Sequence, residues 1–184
     1  MLDAAGVPHR ALASGVDEAP VKAALLADGV SPRDLADALA ELKAVKVSLT
    51  APGAMVLGGD SVFALADGTL LDKPESRDEA AQHLRAMSGG VHSLCSAAVI
   101  AENGRAVWRH VERAKLSVRP LSDAFIARYL DQEWPEIAGC VGCFRMEAMG
   151  VQLFDRVDGD HFTILGLPLI PVLSYLRLRE SLPA

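Results

Sequence analysis

Val91-His-Ser-Leu-Cys-Ser-Ala-Ala-Val-Ile-Ala101 and Arg105-Ala-Val-Trp-Arg-His-Val-Glu-Arg-Ala-Lys-Leu-Ser-Val118 flank the dipeptide Asn103-Gly104. Asn-Gly between two such runs is the strongest short-range signal for a hairpin, because the tight turn needs positive φ at both central residues. Residues 91–101 and 105–118 therefore read as two long antiparallel strands. Such a hairpin does not belong to a clean parallel Rossmann sheet.

On the C-terminal side, Ser122 caps a helix through Phe125, Ile126, Tyr129 and Leu130. Val151 to Val157 and Phe162 to Leu165 read as strands. Pro168 opens a last helix with Leu169, Val172, Leu173 and Leu176. On the N-terminal side, Ser76-Arg77-Asp78-Glu79 is a capping box ahead of a helix through Ala80, Ala81, Leu84 and Met87, stopped by Gly89-Gly90. Asp67-Gly68 marks a turn. Ala54 to Leu57 reads as a buried strand stopped by Gly58-Gly59-Asp60. Ser31-Pro32 starts a helix whose stripe is Leu35, Leu39, Leu42, Val45 and Leu49, with Lys43 and Lys46 beside it. Residues 8–14 read as a short extended piece. The expectation is one α/β domain over residues 1–184, a mixed sheet with flanking helices.

The composition narrows the function. The chain has 184 residues, 51% hydrophobic and 23% charged, enough to bury a core, which excludes disordered and fibrous classes. Its net charge of −6 argues against general nucleic-acid binding, which needs a basic face. It does not exclude an anionic ligand, because sites depend on local charge. No apolar run spans a membrane and the start does not read as a signal peptide. Three cysteines, Cys95, Cys140 and Cys143, suit a reducing cytoplasm rather than a disulfide framework.

Four constellations carry chemistry or mimic it. Gly58-Gly59-Asp60-Ser61 offers a carboxylate for a hard cation or a water, with glycines that let a ligand approach the backbone. Lys73 before Pro74 is held extended, where it can meet a phosphate. The plain alternative is a surface turn. Asp17-Glu18, read as a charged pair in a loop, forms a second set with Lys43; the alternative is a solvated pair and a snorkelling lysine. Cys140-Val-Gly-Cys143 reads as a redox pair, as half a zinc site with His161, or as small apolar cysteines packed in a strand. Glu147 stands between apolar residues, either exposed by strand alternation or held in a pocket as an acceptor for N–H donors. The five histidines have no paired spacing, and none is assigned to a metal.

Several pieces, in order, resemble the Maf family of nucleoside triphosphate pyrophosphatases. They are Leu39-Ala40-x-x-Lys43-Ala44, Gly58-Gly59-Asp60-Ser61-Val62, Asp67-Gly68 through Lys73-Pro74, and Leu84-x-x-x-Ser88-Gly89-x-x-His92. Ala138-Gly139, Glu147-x-x-Gly150, Leu153-Phe154, Gly159-Asp160 and Gly166-Leu-Pro168-Leu complete the set. The resemblance spans Leu2 to Leu178. It implies a fold similar to the inosine-triphosphatase fold, with a central cleft. Glu147 in place of glutamine resembles the YceF-type branch, associated with 7-methyl-GTP. Ser61 departs from the residue more usual after the aspartate. The family's opening strand and Ser-x-Ser-x-x-Arg-type phosphate loop have no counterpart before Leu2, so the resemblance leads us to expect weakened or absent turnover and a strained fold.

The implied reaction is hydrolysis between the α and β phosphates, giving a monophosphate and pyrophosphate. By resemblance Asp60 is the base and, with Glu18, holds a divalent metal, Mg²⁺ or Mn²⁺. Lys43 and Lys73 hold phosphate oxygens, Ser61 contacts the substrate and Glu147 faces the base. Family members are often homodimers. The competing expectations are a broad pyrophosphatase for several nucleotides, modified ones included, and a nucleotide-binding module without turnover.

Overall fold

A computed structural model of the chain describes residues 1–183. Helices α1 (Glu18–Ala27) and α2 (Pro32–Ser48) precede strands β1 (Val56–Ala64) and β2 (Leu70–Leu71). Helix α3 (Arg77–Met87) leads into the hairpin of β3 (Val91–Glu102) and β4 (Arg105–Val118). Helix α4 (Asp123–Glu133), β5 (Phe154–Asp158), the short α5 (His161–Ile164) and α6 (Leu169–Leu178) follow, with 3-10 turns at Glu136–Gly139 and Met149–Leu153. The strands form one sheet in the order β2-β1-β3-β4-β5. This is the mixed α/β architecture with flanking helices expected above.

The local signals explain most boundaries. Ser31, Ser76 and Ser122 each accept a hydrogen bond from the backbone three residues on, satisfying a donor the first turn leaves orphaned. Asn103 and Gly104 have φ of 49° and 79°, so the hairpin turn is of the primed type that matches strand twist. β5 pairs antiparallel with the end of β4, Lys115 opposite Asp158, with a shift of register between Ser117 and Val118.

By contact, the chain forms two compact units. The first holds residues 1–61, 96–112 and 160–184; the second holds 62–95 and 113–159. In the first, α2 covers one face of the strands and α5 with α6 the other. Arg109 of β4 pairs with Asp37 and Glu41 of α2 at 2.6 and 2.8 Å. On the opposite face Trp108 stacks on Tyr175 of α6, and Thr163 of α5 bonds Glu112. The hairpin tip docks on the end of α2, where Gly104 N–H donates to Ser48 Oγ. In the second unit, Phe63, Phe144 and Phe154 meet edge to face at 6.2 and 5.0 Å. Helices α3 and α4 pack together there.

Five readings are corrected. β1 does not stop at Gly58-Gly59-Asp60 but runs through it to Ala64. Phe162 to Leu165 is not a strand: Asp160 Oδ1 accepts from Phe162 N–H and Thr163 N–H, capping α5. The stretch from Val151 divides between a 3-10 turn and β5. Glu18 opens helix α1 rather than sitting in a loop. The stripe of α2 is also rotated: Leu35, Ala36, Leu39, Ala40, Ala44 and Ser48 are buried, whereas Leu49 is 67% exposed. Alanines line this face because β1 comes too close for anything larger.

Candidate active site

The close approach centres on Gly58. A Cβ there would lie 2.5 Å from the Ala40 carbonyl oxygen, 2.8 Å from Ala44 N and 2.9 Å from Ala44 Cβ. Only glycine against alanine lets α2 lie this near the strand. Strand alternation puts Asp60 on the same face as Gly58. Lys43 is the helical neighbour of Ala44. The contact that requires Gly58 therefore brings the Lys43 ammonium to Asp60. Its Nζ lies 2.5 Å from Asp60 Oδ1 and 3.1 Å from Glu18 Oε1. Glu18 reaches it from the first turn of α1. The loop before α1 is tied to α2 as well, since Lys46 Nζ donates to the Gly15 carbonyl.

These three side chains differ in exposure: Asp60 13%, Lys43 21% and Glu18 40%. Burial alone pushes the Lys43 pKa down. The hydrogen bonds and charges of Asp60 and Glu18 outweigh it, and the ammonium is held above its usual value of 10.5. The cluster thus presents two carboxylates converging on one cation. Oxygen donors of this kind suit a hard divalent ion, which often takes one or two carboxylates and fills its remaining positions with phosphate oxygens and water. No larger group of His, Cys, Asp or Glu suited to a metal occurs among the described residues. The donor set therefore fits a cation that arrives with phosphates rather than one held in a closed protein cage.

Ser61 is not brought to this cluster. Alternation turns it to the other face of β1, where its Oγ lies 2.8 Å from Ser96 Oγ and 3.4 Å from the Gly166 carbonyl. Ser96 is fully buried and donates its one proton to the Thr163 carbonyl at 2.8 Å. The Ser61 hydroxyl is thus engaged inside the fold, with Ser96 Oγ and the Gly166 carbonyl as its partners. Lys73 and Glu147 belong to the second unit and both are exposed, Glu147 on a turn. Cys140 lies in the same unit. Its thiol is pushed up by burial and by the Glu147 charge, while Arg145 and Lys73 pull it down.

Cys140 and Cys143 are free thiols on a turn, not in a strand. Cys143 N–H donates to the Cys140 carbonyl at 3.2 Å, and Cys143 has a φ of 56°. Its thiol lies 3.5 Å from His83 Nδ1 and is pushed up to about 12, chiefly by burial. A thiol held protonated in this way is a poor nucleophile. His161 opens α5 in the first unit, whereas both of these cysteines belong to the second.

Two groupings escaped the sequence reading. The Ser61–Ser96–Thr163 chain joins residues far apart in sequence and leaves no local signal. Glu133 is different: it is 4% exposed and ends the buried stripe Ile126, Tyr129, Leu130, Glu133 of α4. An acid at a core position of a helix is itself a signal, since buried charges require partners.

Fold and site together define a mixed α/β protein with a carboxylate–lysine cluster gathered from α1, α2 and β1. The chain belongs to the family described as Maf-like protein, whose model matches residues 1–179. A nucleoside triphosphate pyrophosphatase of Sphingopyxis alaskensis is 54% identical over 183 residues, covering 100% of this chain and 92% of the relative. One of Caulobacter vibrioides is 52% identical over 182 residues, covering 99% and 90%. One of Roseobacter denitrificans is 50% identical over 183 residues, covering 100% and 92%.

Proposed function

We propose that this chain is a nucleoside triphosphate pyrophosphatase. It cleaves the α–β phosphoanhydride and releases a monophosphate and pyrophosphate. The observation that carries this reading is the convergence of Glu18, Lys43 and Asp60; the names of the relatives agree with it. A triphosphate carries about −4 charge and competes with both carboxylates for Lys43. Once Lys43 moves its hydrogen bonds to phosphate oxygens, Asp60 is released to accept a proton from an attacking water. Glu18 and Asp60 would hold a divalent cation, Mg²⁺ or Mn²⁺, which neutralises phosphate charge when bound. Lys73 is assigned to phosphate oxygens.

Glu147 is assigned to the base, where a carboxylate suits the N–H donors of a guanine ring, and 7-methyl-GTP is the favoured substrate. Ser61 is assigned to the substrate; in the free protein its hydroxyl bonds Ser96 and the Gly166 carbonyl. We further propose a homodimer in the cytoplasm. No helix among the described residues is long and apolar enough to cross a membrane.

The test is pyrophosphate release from 7-methyl-GTP, GTP, UTP and dTTP with Mg²⁺ or Mn²⁺. Faster turnover of the guanine nucleotides supports the assignment of Glu147. Equal rates across bases reject the substrate preference while leaving the chemistry. Nucleotide binding without turnover rejects the enzyme reading in favour of a binding module. Sedimentation at twice the 19.5 kDa chain mass checks the dimer.

A further inference from the structure

The loop that carries Glu147 is closed on itself. Gly150 lies against Arg145: a Cβ on Gly150 would sit 2.4 Å from the Arg145 carbonyl oxygen and 2.6 Å from its nitrogen. Ala148 N–H donates to the same carbonyl at 3.1 Å. The six residues from Arg145 to Gly150 thus form a tight knuckle with Glu147 exposed on it.

One side chain fastens both arms of this knuckle. Glu133, on the last turn of α4, accepts from Arg145 Nε through Oε2 at 2.9 Å and from Met149 N–H through Oε1 at 3.1 Å. Its carboxylate is 5% exposed. A turn earlier on α4, Tyr129 Oη donates to the Cys143 carbonyl at 2.9 Å, fixing the chain just before the knuckle. A buried carboxylate in this position is costly unless fully paired, and both of its oxygens are used on residues that bracket Glu147. Packing needs no acid here; an apolar residue would complete the stripe of Ile126, Tyr129 and Leu130.

We propose that Glu133 is a positioning residue for base selection, holding the Arg145–Gly150 knuckle so that the Glu147 carboxylate is presented in one orientation. This rests on the reading that Glu147 faces the base. Glu133 touches no substrate. Its effect passes through Arg145 and Met149 to the residue between them.

The experiment measures kcat and KM for 7-methyl-GTP and UTP in the wild type, Glu133→Gln and Glu147→Gln, below the melting temperature of each. Glu133→Gln keeps the size and the acceptor for Met149 but removes the charge that holds Arg145. The expected result is a loss of preference for 7-methyl-GTP over UTP of about tenfold, the scale of one charge-assisted hydrogen bond. The loss is expected in KM for the guanine nucleotide, with kcat on UTP within about twofold of wild type. A base preference unchanged in Glu133→Gln, alongside one lost in Glu147→Gln, overturns the positioning role alone. A preference unchanged in Glu147→Gln overturns the base-facing reading itself. If Glu133→Gln does not fold, Arg145→Gln breaks the same tie from its more exposed end, and the same two results decide.

Discussion

The Glu18–Lys43–Asp60 cluster stands on two helices and the middle of a strand, whereas the Cys140–Gly150 segment stands on turns. The first is set by one close approach, Gly58 against Ala40 and Ala44, repeated along regular elements. The second is set by individual ties: Tyr129 to the Cys143 carbonyl, Glu133 to Arg145 and Met149, and positive φ at Gly142 and Cys143. A site built on regular elements inherits their rigidity. A site built on a loop needs its own buried anchors, and polar ones suit backbone that no ladder satisfies.

The contrast is broken strongly at Lys43. Lys43→Met leaves two carboxylates facing each other without their cation and removes the donor proposed to hold phosphate. Turnover is expected to fall about 10²–10³-fold, the scale for losing one preorganised donor. Steady-state pyrophosphate release measures it, and near wild-type turnover would remove Lys43 from the mechanism.

Gly58→Val asks whether the approach of α2 sets the cluster. Its Cβ meets backbone, not a movable side-chain end, so an overpacking cost of about 1–3 kcal/mol is expected in chemical denaturation. Gly59→Ala on the opposite face is expected to be milder, because its Cβ meets only ordinary contacts at 3.4 and 3.6 Å. Equal costs at the two glycines would contradict the account.

An alkaline titration separates the two regions. The buried Cys143 thiol is raised from 9.0 to about 12, and Cys140 is raised as well. A raised pKa means stability that is complete below the unfolded value and lost as pH climbs through the folded one. Stability should therefore begin to fall near pH 9 through the loop thiols. Tyr129, raised above 10.0 by burial, and Lys43, raised above 10.5 by its carboxylates, titrate later. Replacing both cysteines, as Cys140→Ser with Cys143→Ala, is expected to move the onset above pH 10 in melting curves. An onset that stays near pH 9 would show that the loop thiols are not its source. The smallest effect belongs to the exposed Arg77–Asp131 pair, where Asp131→Asn should shift stability by less than about 1 kcal/mol.

The same contrast explains what could be read in the chain. Asn103-Gly104, the serine caps at 31, 76 and 122, and the proline start of α6 are local rules, and each marks an element the structure contains. Gly58-Gly59 was misread as a turn because a glycine pair looks the same whether it bends the chain or admits a neighbouring helix. Only the position of α2 distinguishes the two. Helix α1 was missed because its face buries no residue and its periodicity is weak. Phe162 to Leu165 is apolar enough for a strand, and the Asp160 cap decides otherwise. At the site, Asp60, Lys43 and Glu18 were legible from residue type and resemblance. The placement of Ser61 on the opposite face follows from the uninterrupted course of β1. The Glu133 anchor escaped the reading: an acid in an apolar stripe is a signal, but its partners lie 12 and 16 residues away, beyond any helical spacing.

The central claim is that Asp60, released from Lys43, takes the proton of the attacking water. Pyrophosphate release by Asp60→Asn tests it most directly, measured beside the wild type with 7-methyl-GTP or GTP and Mg²⁺ or Mn²⁺. Asparagine keeps the size but cannot accept that proton, so turnover should fall by about 10²–10⁴ with the fold intact. Turnover within a few-fold of the wild type would contradict the account.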